Sequence, residues 1–284
     1  KHIDRATQEV VFEEGKLHYD YLIIAAGMKH NYFGNQEKWE QYAPGLKTVD
    51  EALDLRRRML LAFEAAEYET DPKERERLLT FVVVGGGPTG VEMAGALAEI
   101  AREVMVHDFR RIDSSWARIV LIEGQDRLLG AFSESSSKNA LEELQERGVD
   151  VRLNTFVKDI DEKGVTAGEQ FIPAHNIVWA AGLKAETLAD SLGAEQDRMG
   201  RVHIEQTLNI KGDQRVFVIG DMAHLEDEDY GGVLPGQAPV AIQQGRHAGK
   251  NIIRLLRDQD LKPFEYFDKG QMATIGRASA VAET

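Results

Sequence analysis

Apolar residues along this chain fall into two rhythms. One is the short continuous run that ends at a small residue, as in YDYLIIAAG (19–27), FVVVGGG (81–87), ARIVLIEG (117–124), HNIVWAAG (175–182) and RVFVIGD (215–221). Such runs, apolar on both faces, predict the interior strands of a parallel sheet. The other rhythm has spacings of three and four. Behind TVDE, a capping box with Thr48 at the cap and Glu51 three residues on, come Ala52, Leu55, Met59, Phe63 and Ala66. They share one face of a helix. Further helices are predicted from about Thr89, over roughly 103–112, over SESSSKNALEELQER up to Gly148, and over VAIQQGRHAGKNIIRLL. The charged stretch ETDPKERER, with Pro72, reads as a surface connector. VDVRLN and TFVKDIDEKGVTA read as strands, and the last residues start new strands. Alternating strands and helices make the class α/β with parallel sheets. The repeated strand-then-Ala-Ala-Gly pattern at 19–27 and 175–182 suggests a duplicated domain.

Composition narrows the partners. The 284 residues carry a formal charge of −14, which argues against nucleic acid and against broad electrostatic attachment to an anionic membrane. There are no cysteines, so disulfides, thiolate metal sites and a redox Cys pair are excluded, and no metal site is expected. No apolar run reaches eighteen residues, and KHIDRATQEV at the start holds neither Met nor an apolar leader. That opening reads as an interior start.

Gly85, Gly87 and Gly90 form G-x-G-x-x-G between a strand and a helix. The first glycine permits a tight turn, the second lets backbone approach a pyrophosphate, and the third lets helix pack on strand. Pro88 and Thr89 lie in the same turn, where free N–H groups and the helix dipole favour phosphate. Glu123 closes the next strand, farther on than the usual interval of about 20 residues, and an inserted helix at 103–115 accounts for the excess. A carboxylate there accepts ribose hydroxyls and repels a 2′-phosphate, which favours NAD over NADP; the plain alternative is an exposed strand-end acid. Glu92, early in the helix, either complements the dipole or reaches the nicotinamide end. Gly220-Asp221 ends an apolar strand, where the carboxylate either accepts a polyol hydroxyl or merely shapes a turn.

The order of these segments resembles the flavoprotein reductases with two dinucleotide domains, in which an NAD domain is inserted into an FAD domain. FVVVGGGPTGVEMAGALAE, HNIVWAAG, VFVIGDMA, APVAIQQGRHAGKNI and DKGQMATIGRASAV look closely like the type II NADH dehydrogenases, single-subunit NADH:quinone oxidoreductases. The resemblance runs over essentially the whole chain. It implies tandem Rossmann-like domains: residues 1–48 as the second part of the first FAD half, 49–182 as the NADH domain, 183–262 as the returning FAD segment and 263–284 as the start of an interface domain. The family's FAD glycine motif is expected before residue 1, and a membrane-anchoring region beyond the last residue.

The resemblance further implies FAD and NADH as cofactors and menaquinone or ubiquinone as acceptor. It implies a peripheral place on the cytoplasmic face of the inner membrane, and leaves a homodimer open. Gly27 marks the FAD-side crossover, and Ala181 and Gly182 the NAD-side one. Gly85, Gly87 and Gly90 hold the NADH pyrophosphate, and Glu123 its ribose. Glu92 stands near nicotinamide and flavin, Gly220 and Asp221 bind FAD, and Ala238 to Gln244 lie toward the flavin ring and quinone. Gln243 and Gln244 match the family's motif, whereas Pro239 stands where many members carry Gln, or serves the first turn of its helix. The rival readings are a soluble NADH-dependent reductase of a protein acceptor and, for this stretch of chain, a nucleotide-binding module without catalysis.

Overall fold

Thr48 opens the first long helix as its sequence predicts. Its hydroxyl accepts the Glu51 N–H while the Glu51 carboxylate accepts the Thr48 N–H, so the capping box is complete over α1, Val49–Tyr68. Leu55, Met59, Phe63 and Ala66 are buried along one stripe, and Ala52 is exposed. The structure is a computed structural model and describes residues 1–277 and 279–283. Its contacts divide the chain into two units, residues 1–29 with 183–269, and residues 30–182 with 270–284.

The second unit is built on four parallel strands. They are β1 (Thr80–Val84), β2 (Arg118–Ile122), β3 (Val149–Arg152) and β4 (Asn176–Trp179), in the order β4-β1-β2-β3. β1 is buried throughout, as its unbroken apolar run requires. One face of the sheet packs on α1, on α2 (Pro72–Leu78), on α3 (Pro88–Glu99) and on α4 (Glu134–Glu146). The other face meets Tyr32, Trp39 and Ala43 and the antiparallel meander 157–173. The final hairpin, β5 (Gln271–Thr274) and β6 (Ala280–Glu283), buries Ala273, Ile275 and Val281 in the α-helical layer.

In the first unit, the strand Leu22–Ile24 pairs in parallel with Asp213–Val218, residues from either side of the segment 30–182 of the other unit. The chain is therefore interrupted and resumed, as expected for one dinucleotide domain inserted in another. Within this strand Ile24 is buried and Ile23 is exposed among the described residues.

Several local expectations are corrected. Pro72–Leu78 is a helix rather than a bare connector, because Asp71 caps it by accepting the Lys73 N–H and Pro72 occupies the first turn. The stretch 103–112 is not a separate helix. A π-helical turn, Ile100–Val104, prolongs α3, and a loop follows. Glu67 accepts the backbone N–H groups of Arg110, Arg111 and Ile112, donors that a helix would have used internally. Residues 30–48, expected with the first segment, pack in the second unit. The Tyr32 ring stacks on Trp179 with centroids 5.1 Å apart, its hydroxyl donates to the Ala43 carbonyl, and Trp179 Nε1 donates to the Asn31 carbonyl. The segment 263–284, expected to begin an interface domain, is divided at residue 269, and Ala273, Ile275 and Val281 are buried in the second unit.

A buried-side carboxylate closes a tight loop in the first unit. Asp197 Oδ1 accepts the Met199 and Arg201 N–H groups, and Oδ2 accepts Arg201 Nε at 2.6 Å and His224 Nδ1 at 3.1 Å. Burial pushes its pKa up, but the His224 and Arg201 bonds outweigh burial and hold it at about 2, below the ordinary 3.8. A carboxyl lowered by folding stabilises above its unfolded pKa, and that contribution fades as pH falls through the folded value. Asp197→Asn is therefore expected to melt below the wild type at pH 7, with the gap closing between pH 4 and pH 2. A gap in melting temperature independent of pH would contradict this account.

Candidate functional site

The turn between β1 and α3 is shaped by what its glycines lack. A Cβ on Gly90 would stand 1.8 Å from the Gly85 carbonyl oxygen, and one on Gly85 would stand 2.7 Å from Ala180 backbone and 2.8 Å from the Ala181 nitrogen. The helix start, the strand end and the chain at 180–182 thus touch backbone to backbone. Gly87 is different, since a Cβ there would meet no atom within 4 Å. It is the N-cap of α3, and no side chain caps that end. Pro88, without an N–H, takes the first turn. Open space lies before a helix N-terminus whose first N–H groups receive no side-chain cap, which fits a pyrophosphate.

Glu123 follows β2 directly and is half-buried rather than a free strand-end acid. Its Oε2 accepts the Gly86 N–H at 2.5 Å and its Oε1 the Gln125 N–H at 2.7 Å. The same carboxylate therefore clamps the glycine turn and sits beside it, at the carboxyl end of β2. Leu129 N–H donates to the Gly86 carbonyl, completing the clamp. Arg127 Nη2 donates to the Gly130 carbonyl at 2.8 Å, within its own loop. Glu92, in the first turns of α3, accepts the Thr274 N–H and hydroxyl on Oε1, at 3.2 and 3.3 Å.

The remaining sites belong to the first unit. Gly220 follows the strand Asp213–Val218 and donates its N–H to Gln244 Oε1 at 2.7 Å. Gln244 is 1% exposed. A Cβ on Gly236 would come 3.3 Å from that of Asp221, so backbone passes close beside this carboxylate. Ala238 and Pro239 open the helix Ala238–Leu255, with proline in its first turn. Gln243 exchanges two bonds with the Phe267 backbone. Gly27 and Gly182 both take a left-handed backbone, φ +74° and +70°, one in each unit.

A family profile for pyridine nucleotide-disulphide oxidoreductases matches residues 1–245. The type II NADH:quinone oxidoreductase Ndh of Mycobacterium tuberculosis is 42% identical over 99% of this chain and 63% of its own length. The type II NADH:quinone oxidoreductase of Staphylococcus aureus is 31% identical over 98% of this chain and 69% of its own. The chain belongs to the type II NADH:quinone oxidoreductases, within the pyridine nucleotide-disulphide oxidoreductase family. It spans less than two thirds of the length of the mycobacterial relative. The fold matches NDH2 from Plasmodium falciparum, solved in complex with NADH, with a TM-score of 0.87 at 21% identity over 99% of this chain and 74% of that one. For this family member the two-domain Rossmann-like architecture is thus established.

Thr274 escaped the sequence reading, and a signal for it was present. Gly95 sits inside α3, where glycine costs about 1 kcal/mol relative to alanine. A Cβ there would lie 3.1 Å from the Gly276 nitrogen. A glycine at that cost marks a close backbone neighbour, which is the hairpin carrying Thr274.

The second and third glycines of the motif separate binding from fold. Gly90→Ala is expected to lose about 1–3 kcal/mol of stability, since helix and strand must part. Gly87→Ala should cost less than about 1 kcal/mol, the poorer cap, while dinucleotide affinity measured by calorimetry falls about tenfold or more. Wild-type affinity in Gly87→Ala would contradict the assignment.

Proposed function

We propose that the whole protein of which this chain is part oxidises NADH and reduces a quinone, with FAD as its resident cofactor. The observation that carries the reading is the uncapped α3 N-terminus behind Gly85, Gly87 and Gly90, with Glu123 at the end of the adjacent strand. The quinone rests on the family resemblance and on the names of the relatives. When bound, FAD supplies the chemistry that accepts hydride from NADH and delivers electrons to the acceptor.

In this reading the chain's own residues bind and orient. The glycine turn and the first N–H groups of α3 hold the NADH pyrophosphate. Glu123 accepts the ribose hydroxyls with the lone pairs its backbone donors leave, and its charge disfavours a 2′-phosphate. Glu92 turns toward the nicotinamide. Asp221 accepts hydroxyls of FAD at the edge of the first unit, beside the close-packed backbone of Gly236. Gln244 fixes Gly220, and Gln243 fixes Phe267, so both act as positioning residues for the surface that Ala238 and Pro239 open. This chain supplies no thiol that could relay electrons. No helix among the described residues is long and apolar enough to cross a membrane. We place the protein peripherally on the cytoplasmic face of the inner membrane, as the resemblance implies.

Titration of this chain with NADH and NADPH is expected to show at least about tenfold preference for NADH, relaxed by Glu123→Ser. Steady-state assays of the full-length protein with menaquinone and ubiquinone analogues test the acceptor. Equal affinity for the two nucleotides, or NADH oxidation that no quinone supports, would overturn the respective half of the proposal.

A further inference from the structure

Two carboxylates, Glu92 and Glu99, lie two helical turns apart on α3 with Gly95 between them, and both receive backbone N–H groups from the final hairpin region. Gly95 makes this possible, because the Gly276 nitrogen would lie 3.1 Å from a Cβ there. The two acids are nevertheless used differently. Glu99 is 8% exposed and spends both oxygens on one residue, Oε2 on the Arg277 N–H at 2.8 Å and Oε1 on Arg277 Nε at 3.1 Å. That is how an acid devoted to holding a loop looks.

Glu92 is half-buried, and both of its donors converge on a single oxygen. The Thr274 N–H and hydroxyl reach Oε1, and among the described residues no hydrogen bond goes to Oε2. A glutamate left to itself spreads over many rotamers, and fixing it costs up to about 2 kcal/mol of side-chain entropy. Two donors on one oxygen set both the rotamer and the plane of the carboxylate. They leave the second oxygen as an acceptor on the first turns of α3, the helix that the glycine motif opens.

We propose that Thr274 is a positioning residue that holds Glu92 with Oε2 presented to the carboxamide N–H₂ of the nicotinamide. This rests on the NADH reading above and adds to it a residue from the hairpin, far along the chain from the glycine motif. The hairpin is then part of the nucleotide site and not only a cover for α3.

The test compares NADH with ADP-ribose, which keeps the pyrophosphate and ribose and lacks the nicotinamide. Binding of each to the chain is measured by calorimetry for wild type, Thr274→Val, Thr274→Ser, Glu92→Gln and the double variant Thr274→Val/Glu92→Gln. Thr274→Val and Glu92→Gln are each expected to weaken NADH about threefold to tenfold, with ADP-ribose unchanged. Thr274→Ser should restore wild-type binding, and the double variant should be no worse than the poorer single one. If Glu92→Gln weakens NADH and Thr274→Val does not, the positioning role is wrong and the NADH reading stands. Should Thr274→Val weaken both ligands alike, Thr274 acts only on the fold. Were NADH binding indifferent to Glu92→Gln, the role of Glu92 and this inference would fall together.

Discussion

Everything at the nucleotide edge depends on one contact, the Gly90 backbone lying against the Gly85 carbonyl where no side chain fits between. It brings the N-terminus of α3 to the end of β1, so the helix dipole and its uncapped N–H groups meet the crevice at the carboxyl ends of the strands. The contact is supported on three sides. Glu123 takes the Gly86 N–H, Leu129 takes the Gly86 carbonyl, and the chain at Ala180 and Ala181 fills the space beneath Gly85. Glu123 is thus a structural residue of the turn, since replacing it removes the acceptor of the Gly86 N–H.

Much of this was legible in the sequence, for a physical reason. Elements stabilised by their own neighbours announce themselves. The Thr48–Glu51 box needs four residues, and the all-apolar run of β1 is a direct consequence of burial on both faces. The glycine spacing reports steric demands that no other residue meets. What stayed hidden was held together by distant partners. The loop at 105–113 carries helix-forming residues, yet Glu67, far off in α1, captures its N–H groups. Tyr32 and Trp39 join the second unit because Trp179 offers them a ring to pack on, and nothing near residue 30 reveals that partner. The hairpin at 271–283 is likewise settled by the interior of α3, through Gly95.

The family is named for disulphide chemistry, and this stretch of chain, which matches its profile over residues 1–245, carries no cysteine. The scaffold that positions two nucleotides is separable from the thiol pair that some relatives of the fold use. A site made of backbone N–H groups, glycines and two or three carboxylates tolerates such a change, because it commits the protein to holding cofactors and not to a particular electron acceptor.

The pairing of Leu22–Ile24 with Val216–Val218 has a consequence for synthesis. The strand near the beginning leaves the ribosome long before its partner, with the whole of residues 30–182 made in between. At about 5–20 residues per second that delay is roughly 10–40 s. During it segment 30–182 already carries all four strands of its own sheet and can collapse, before Leu22–Ile24 meets Asp213–Val218. The parallel pairing that closes the interrupted unit therefore forms only after segment 30–182 has been made.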